Sequence, residues 1–249
     1  MRTGSWLGAV AIAAALLVAG CKDKSGVAGP ANGQPVAAVA PPAGSDWTQV
    51  TGESDEGGYR MGNPDAPVKL VEYASLSCPH CAEFSHEGAA VLQDKYVKSG
   101  RVSWEFRPFL LFPTDASVTL LARCQGPAAF FLLADQLYAD QDAWIGRIRQ
   151  LPQKEVEAIF AMPPQQSMPK VIDATGLTQF FRMRGMPEAR ISGCLADRKA
   201  LDRLVEIREK GSRQYNVTGT PTFFINGDKV EDVAGWKELE PALEKALGE

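Results

Sequence analysis

Histidine is nearly missing from this chain: His80 and His86 are the only two in 249 residues. No second CxxC accompanies the one at Cys78–Cys81. Structural zinc takes four ligands, commonly from two CxxC pairs or from a CxxC with spaced histidines, so a zinc fold is excluded. Clustered positive charge is lacking too. Lys and Arg total 26 against 30 Asp and Glu, for a formal net charge of −4. Phosphate backbones are held by grouped cations, so no nucleic-acid partner is expected. The short run Arg147–Arg149 reads as a solvated helix face. A long apolar run is absent as well. The most apolar stretch, Trp6–Gly20, has about 15 residues, short of the roughly 20 that a spanning helix needs.

That stretch suits a secretory signal instead. Arg2 gives a positive start, and the run closes on Leu17-Val18-Ala19-Gly20-Cys21. A branched residue three before a cysteine, with small residues between, resembles a bacterial lipobox. The resemblance implies cleavage before Cys21 and lipidation of that residue. The alternative is an uncleaved anchor with an incidental cysteine. Residues 1–20 are therefore read as a lipoprotein signal peptide. Residues 21–56 follow, rich in Ala, Gly, Pro and Ser. Such composition buries too little apolar surface to offset chain entropy, so a flexible tether is expected, about 30 Å in mean span. Trp47 is its one residue suited to docking on a domain.

Five cysteines are present, and assigning Cys21 to lipid leaves four. An exported chain meets conditions in which disulfides persist. Cys78 and Cys81 are near enough to join each other, which leaves Cys124 and Cys194 as partners in a structural disulfide. The rival reading is two free buried thiols.

The chemistry gathers around Tyr73–Phe84, YASLSCPHCAEF. Val68–Ala74 is apolar and β-capable, and reads as a buried strand. Pro79 fits the first turn of a helix, where its missing N–H is unpaired anyway. Apolar residues Phe84, Val91, Leu92 and Tyr96 continue that helix toward Gly100. Cys78 thus stands at a helix start, where free N–H groups and the positive dipole end favour a thiolate. Its sulfur is expected to be accessible. Cys81, one turn in, should be more buried and remain a thiol. His80, if protonated, would add to the effect. Its alternative is a solvated side chain without a role. Glu72 interrupts the strand. It is read either as a carboxylate moving a proton to and from Cys81, or as a strand-end Glu paired with a Lys.

From Asp115 to about Gln214 the apolar spacing is helical, broken at Gly126-Pro127, Pro152 and Pro163-Pro164. Phe130-Phe131 reads as core. Strands return at Val217–Ile225, with the Asn226-Gly227 hairpin signal before Lys229–Val233, and Trp236–Leu247 reads as a closing helix. Pro221 at a strand start suggests a cis bond after Thr220.

CPHC at Cys78–Cys81 together with GTPTFFING at Gly219–Gly227 resembles the DsbA family of thioredoxin-like thiol:disulfide oxidoreductases. The resemblance covers about residues 57–249. It implies an α/β thioredoxin fold with a long helical insertion, formed by residues 57–114 and 215–249 around an inserted subdomain, 115–214. By resemblance, Cys78 is the nucleophile, Cys81 its resolving partner, and Pro79 and His80 the dipeptide that tunes them. Glu72 matches the buried acid, while Thr220 and cis-Pro221 hold an extended substrate. Cys124 and Cys194 resemble the extra disulfide of some alphaproteobacterial-type members. No bound cofactor is implied. The expected activity is oxidation of reduced, unfolded exported proteins by a monomer lipid-anchored in the bacterial envelope, its domain in the periplasm. A quinone-linked membrane oxidase would reoxidise it. Two alternatives stand beside this: a tethered reductase or isomerase, and a non-catalytic lipoprotein holding partners or copper through its thiols.

Overall fold

The computed structural model describes residues 26–249, so the signal peptide and Cys21 lie outside the described residues. Six strands form one mixed sheet: β1 (Thr51–Glu53), β2 (Tyr59–Met61), β3 (Val68–Ala74), β4 (Val102–Pro108), β5 (Thr222–Ile225) and β6 (Asp228–Lys229), in the order β1-β2-β4-β3-β5-β6. Only β3 and β4 pair in parallel. Parallel neighbours need a crossover, and the helix after β3 provides it. The two strands are largely buried because both faces of the sheet are covered, as parallel central strands require. Asn226 and Gly227 turn β5 into β6 with φ of 54° and 93°, the left-handed pair that a tight hairpin demands. β6 is shorter than the Lys229–Val233 run suggests, because the ladder ends once Val230 N–H reaches Phe223 O. The β1–β2 hairpin lies partly inside the stretch expected to be tether.

The crossover begins with α1 (Pro79–Phe84) and continues through wider, π-type turns at Ser85–Ala89 and Leu92–Val97. Gly88 lies there because the Trp236 ring occupies the place of a side chain: a Cβ would sit 2.6 Å from it. Eight helices form the insertion: α2 (Asp115–Arg123), α3 (Pro127–Ala139), α4 (Gln141–Arg149), α5 (Gln153–Phe160), α6 (Pro164–Thr175), α7 (Leu177–Met183), α8 (Glu188–Leu195) and α9 (Arg198–Gln214). Their breaks follow the sequence punctuation. Gly126, at φ 82°, releases the chain into Pro127, the first residue of α3, and the Asp197 carboxylate caps α9 through Ala200 N–H. α10 (Trp236–Leu247) closes the fold.

Insertion and sheet share one apolar core. Phe130 is fully buried, edge-on to Phe106 of β4 at 4.9 Å between centroids, and Phe131 meets Trp104 at 5.1 Å. A smaller cluster of Tyr73, Phe109, Ile207, Val217 and Phe224 seals α9 to the other face.

The expectation of a flexible tether through residue 56 does not hold over the described part. Val27 and Trp47 are buried, Val36 N–H donates to Leu247 O, and Val39 N–H to Ser99 O. The Trp47 indole N–H donates to Val39 O at 2.8 Å. Backbone pairing and one aromatic anchor hold this Ala- and Pro-rich strap against the domain, where composition argued for solvent.

Cys124, just past α2, and Cys194, in α8, are joined as a disulfide with Cα atoms 6.1 Å apart and 70 residues between them in sequence. Opening so long a loop in the unfolded chain releases much conformational freedom. Cys124→Ser is expected to lower unfolding stability by about 3 kcal/mol in urea titration, with thiol–disulfide exchange at Cys78 retained.

Candidate active site

The end of β3 delivers the chain to Ser75, Leu76, Ser77 and Cys78, all buried. A turn this deep needs partners for its polar groups. The insertion supplies them. Asp115, fully buried, accepts four hydrogen bonds: at Oδ1 from Ser75 Oγ (2.8 Å) and Ser77 N–H (3.2 Å), at Oδ2 from Leu111 and Phe112 N–H (both 2.7 Å). The Tyr138 hydroxyl donates to Ser75 O at 3.2 Å. The Gln141 carboxamide donates to both Leu76 O and Cys78 O, at 2.9 and 3.0 Å. Ser77 and Thr114 share a hydroxyl pair at 2.7 Å.

Cys78 is the N-cap of α1, extended at φ −82°, ψ 124°, and Pro79 opens the helix. Both Cys78 and Cys81 are free thiols. Contrary to the expected accessible sulfur, Cys78 is only 3% exposed. The covering group is Thr220, whose carbonyl accepts from the Cys78 thiol at 3.2 Å. The Thr220–Pro221 peptide is cis and faces the pair. Pro79 and His80 are the exposed members of the motif.

The two sulfurs are driven apart in acidity. The Cys81 thiol hydrogen-bonds the Cys78 thiolate and is the largest influence lowering its pKa. Burial opposes it, while the Thr220 side chain and the Cys81 and His80 backbone N–H groups reinforce it, bringing Cys78 down to about 5. The Thr220 hydroxyl is buried with no hydrogen-bond partner while Cys78 is a thiol. Cys81 moves the opposite way, well above the usual thiol range, through burial, then its bond to Cys78 and the charge of Glu72. His80 therefore acts through its main chain. Its ring is 68% exposed and lies 3.5 Å from Glu83.

Glu72 is 1% exposed and forms no ion pair with a lysine among the described residues, so the strand-end ion pair is not found there. Its Oε2 accepts from the Trp104 indole N–H at 3.1 Å, and Oε1 has no partner. Burial above all, then the charges of Asp135 and Cys78, push its carboxyl up to about 8 against that one hydrogen bond. The acid is thus neutral at pH 7, and once ionised above about 8 its charge raises the Cys81 thiol further. Asp115, Asp135, Tyr138 and Gln141 were not legible as site residues; in sequence they are ordinary polar positions on amphipathic helices. Among the described residues no group of three or more His, Cys, Asp and Glu side chains is arranged to hold a metal. Nor is any described helix long and apolar enough to cross a membrane.

A strand, a CxxC at a helix start and an opposing cis-proline define a thioredoxin-fold dithiol site. The thioredoxin family model matches residues 54–245. The "Putative protein-disulfide oxidoreductase" of Rickettsia bellii is 27% identical over 204 residues, covering 81% of this chain and 69% of that protein. Among solved structures, protein-disulfide isomerase from Novosphingobium aromaticivorans superposes with a TM-score of 0.74 at 29% identity, over 76% of this chain and 97% of that one. Wolbachia pipientis alpha-DsbA1 shares the fold, with a TM-score of 0.63 at 22% identity, over 79% of this chain and 94% of its own. The chain belongs to the thioredoxin family, and the proteins it resembles include protein-disulfide oxidoreductases.

Proposed function

We propose that this enzyme is an oxidase, donating a Cys78–Cys81 disulfide to reduced exported proteins. The observation that carries the reading is the Cys78 sulfur at the start of α1, met by the Cys81 thiol and two backbone N–H groups. These donors stabilise the thiolate, and with it the reduced pair, so the disulfide is a strong oxidant. A substrate thiolate attacks Cys78, and Cys81 leaves with the electron pair of the broken bond. Neutral Glu72 is the acid that protonates the Cys81 thiolate. The substrate's second thiolate then attacks the mixed disulfide, and Cys78 leaves as the stable thiolate. Two electrons pass from the substrate to the pair, and a quinone-linked membrane oxidase would remove them. Thr220 and Pro221 hold the substrate main chain. We assign the redox pair to residues 57–114 within the thioredoxin-like unit completed by 215–249, the 115–214 insertion to a supporting subdomain clamped by Cys124–Cys194, and Cys21 to lipid anchoring in the bacterial envelope, with the domain in the periplasm.

The test is equilibration with a glutathione redox buffer, followed by mixing oxidised protein with a reduced dithiol peptide. One disulfide transferred per protein, and a couple more oxidising than about −180 mV, is the expected result. The isomerase reading draws support from the name of the Novosphingobium structure. Efficient reshuffling of scrambled disulfides by the reduced protein, without net transfer from the oxidised form, would select it instead.

A further inference from the structure

Gln141 is the first residue of α4, yet it is 4% exposed and turned inward. Its Nε2 donates to Leu76 O at 2.9 Å and Cys78 O at 3.0 Å. Carbonyls only accept, so the NH₂ end of the carboxamide must face them and both its hydrogens are used. The second bond falls at a particular place. The Cys78–Pro79 peptide has no N–H, because Pro79 is an imide. Its carbonyl is therefore the sole polar handle on that peptide plane. Ala82 N–H takes one side of this oxygen, at 3.1 Å, as the first bond of α1. Gln141 takes the other, from a helix of the insertion 63 residues further along the chain.

We propose that Gln141 is a positioning residue for thiol–disulfide exchange: by holding the Cys78 carbonyl against Ala82 N–H, its carboxamide fixes the backbone rotation that aims the Cys78 sulfur at its donors. This rests on the oxidase reading of the same site. ψ of Cys78 sets where the cap peptide lies relative to the N–H groups of His80 and Cys81. A peptide plane held from one side alone can rock, and those N–H groups then lose their line to the sulfur. The insertion thereby reaches the redox pair through one side chain, in addition to its hold on the preceding loop through Asp115 and Tyr138.

The experiment titrates reduced full-length protein by thiolate absorbance near 240 nm. Gln141→Met keeps the length and removes both donors. The Cys78 midpoint is expected to rise by about one pH unit, a tenfold change in ionisation. Trp144→Phe is the comparison: Trp144 is buried on the same helix and donates to Leu137 O at 2.9 Å, within the insertion. It should lower the melting temperature without moving the midpoint. An unmoved midpoint in Gln141→Met, or an equal shift in Trp144→Phe, overturns the proposal while leaving the oxidase reading intact. A wild-type midpoint near that of free cysteine would instead defeat the oxidase reading. Should Gln141→Met not fold, the wild-type carboxamide signal of Gln141 in a ¹H–¹⁵N spectrum decides. It must shift with the Cys78 titration, and a signal indifferent to that titration contradicts the assignment.

Discussion

Cys78→Ser is expected to abolish transfer of a disulfide to a dithiol peptide, lowering the rate at least about 10³-fold, with the fold intact. The serine hydroxyl can neither store the oxidising equivalent nor ionise at neutral pH. The donors gathered around position 78 then face a neutral group. Cys81→Ser should behave differently. It keeps the Cys78 sulfur, less acidic without its partner, but cannot form the redox disulfide, so when it is mixed with an oxidised peptide, attack by Cys78 should leave mixed disulfides that no Cys81 thiol releases. Quenched reactions run on non-reducing gels separate the outcomes. Residual transfer by Cys78→Ser, proceeding through Cys81, would mean that the buried sulfur is the nucleophile, against its zero exposure and raised pKa.

Glu72→Gln carries the second large effect, on stability rather than rate. In the unfolded chain the carboxyl ionises near its ordinary value of 4.5, but in the fold it holds its proton up to about 8. Between those values the native state binds a proton that the unfolded state has released, so stability falls as pH rises, by about 1.4 kcal/mol per unit. Above the folded value the penalty levels off. A carboxamide cannot ionise. Relative to wild type, Glu72→Gln should therefore gain about 4 kcal/mol between pH 4.5 and pH 8. Urea unfolding of both reduced proteins at the two pH values measures it. Parallel pH profiles would mean that Glu72 is ionised in the fold. The same variant removes the acid assigned to Cys81, so formation of the mixed disulfide from the oxidised pair should slow.

The residues that do the chemistry were legible, because their demands are local. A CxxC after an apolar strand, with proline in its second position, fixes a sulfur at a helix start whatever surrounds it. Asn226-Gly227 likewise announces its own turn. The supports were not legible, since they reach the site across long sequence separations. Asp115 lies 40 residues from Ser75 and Gln141 lies 63 from Cys78. On their helices nothing but burial distinguishes them, and burial belongs to the assembled fold. The docking of the strap before β1 is hidden in the sequence for a related reason: it runs through backbone groups at Val36 and Val39, which every residue type possesses. Only Trp47 hinted at it. His80 is the reverse case: its ring faces solvent while its backbone N–H reaches the sulfur.

Stability of the reduced form follows from the same sulfur. With its folded pKa depressed below the ordinary 9.0, the Cys78 thiolate stabilises the reduced protein fully above pH 9. The contribution is still about 2 kcal/mol at pH 7 after solvent screening, and is lost as pH falls through 5. The oxidised protein lacks it, so the gap between the two forms should close in acid. The most direct measurement is the ionisation of Cys78 itself, read as thiolate absorbance from pH 3 to 10 in reduced protein with Cys81→Ser as a control. A midpoint near pH 5 is predicted for the intact pair, moving upward when the Cys81 thiol is lost. A midpoint near pH 9 would contradict the account, because no thiolate would then be favoured and the disulfide would have no drive to leave.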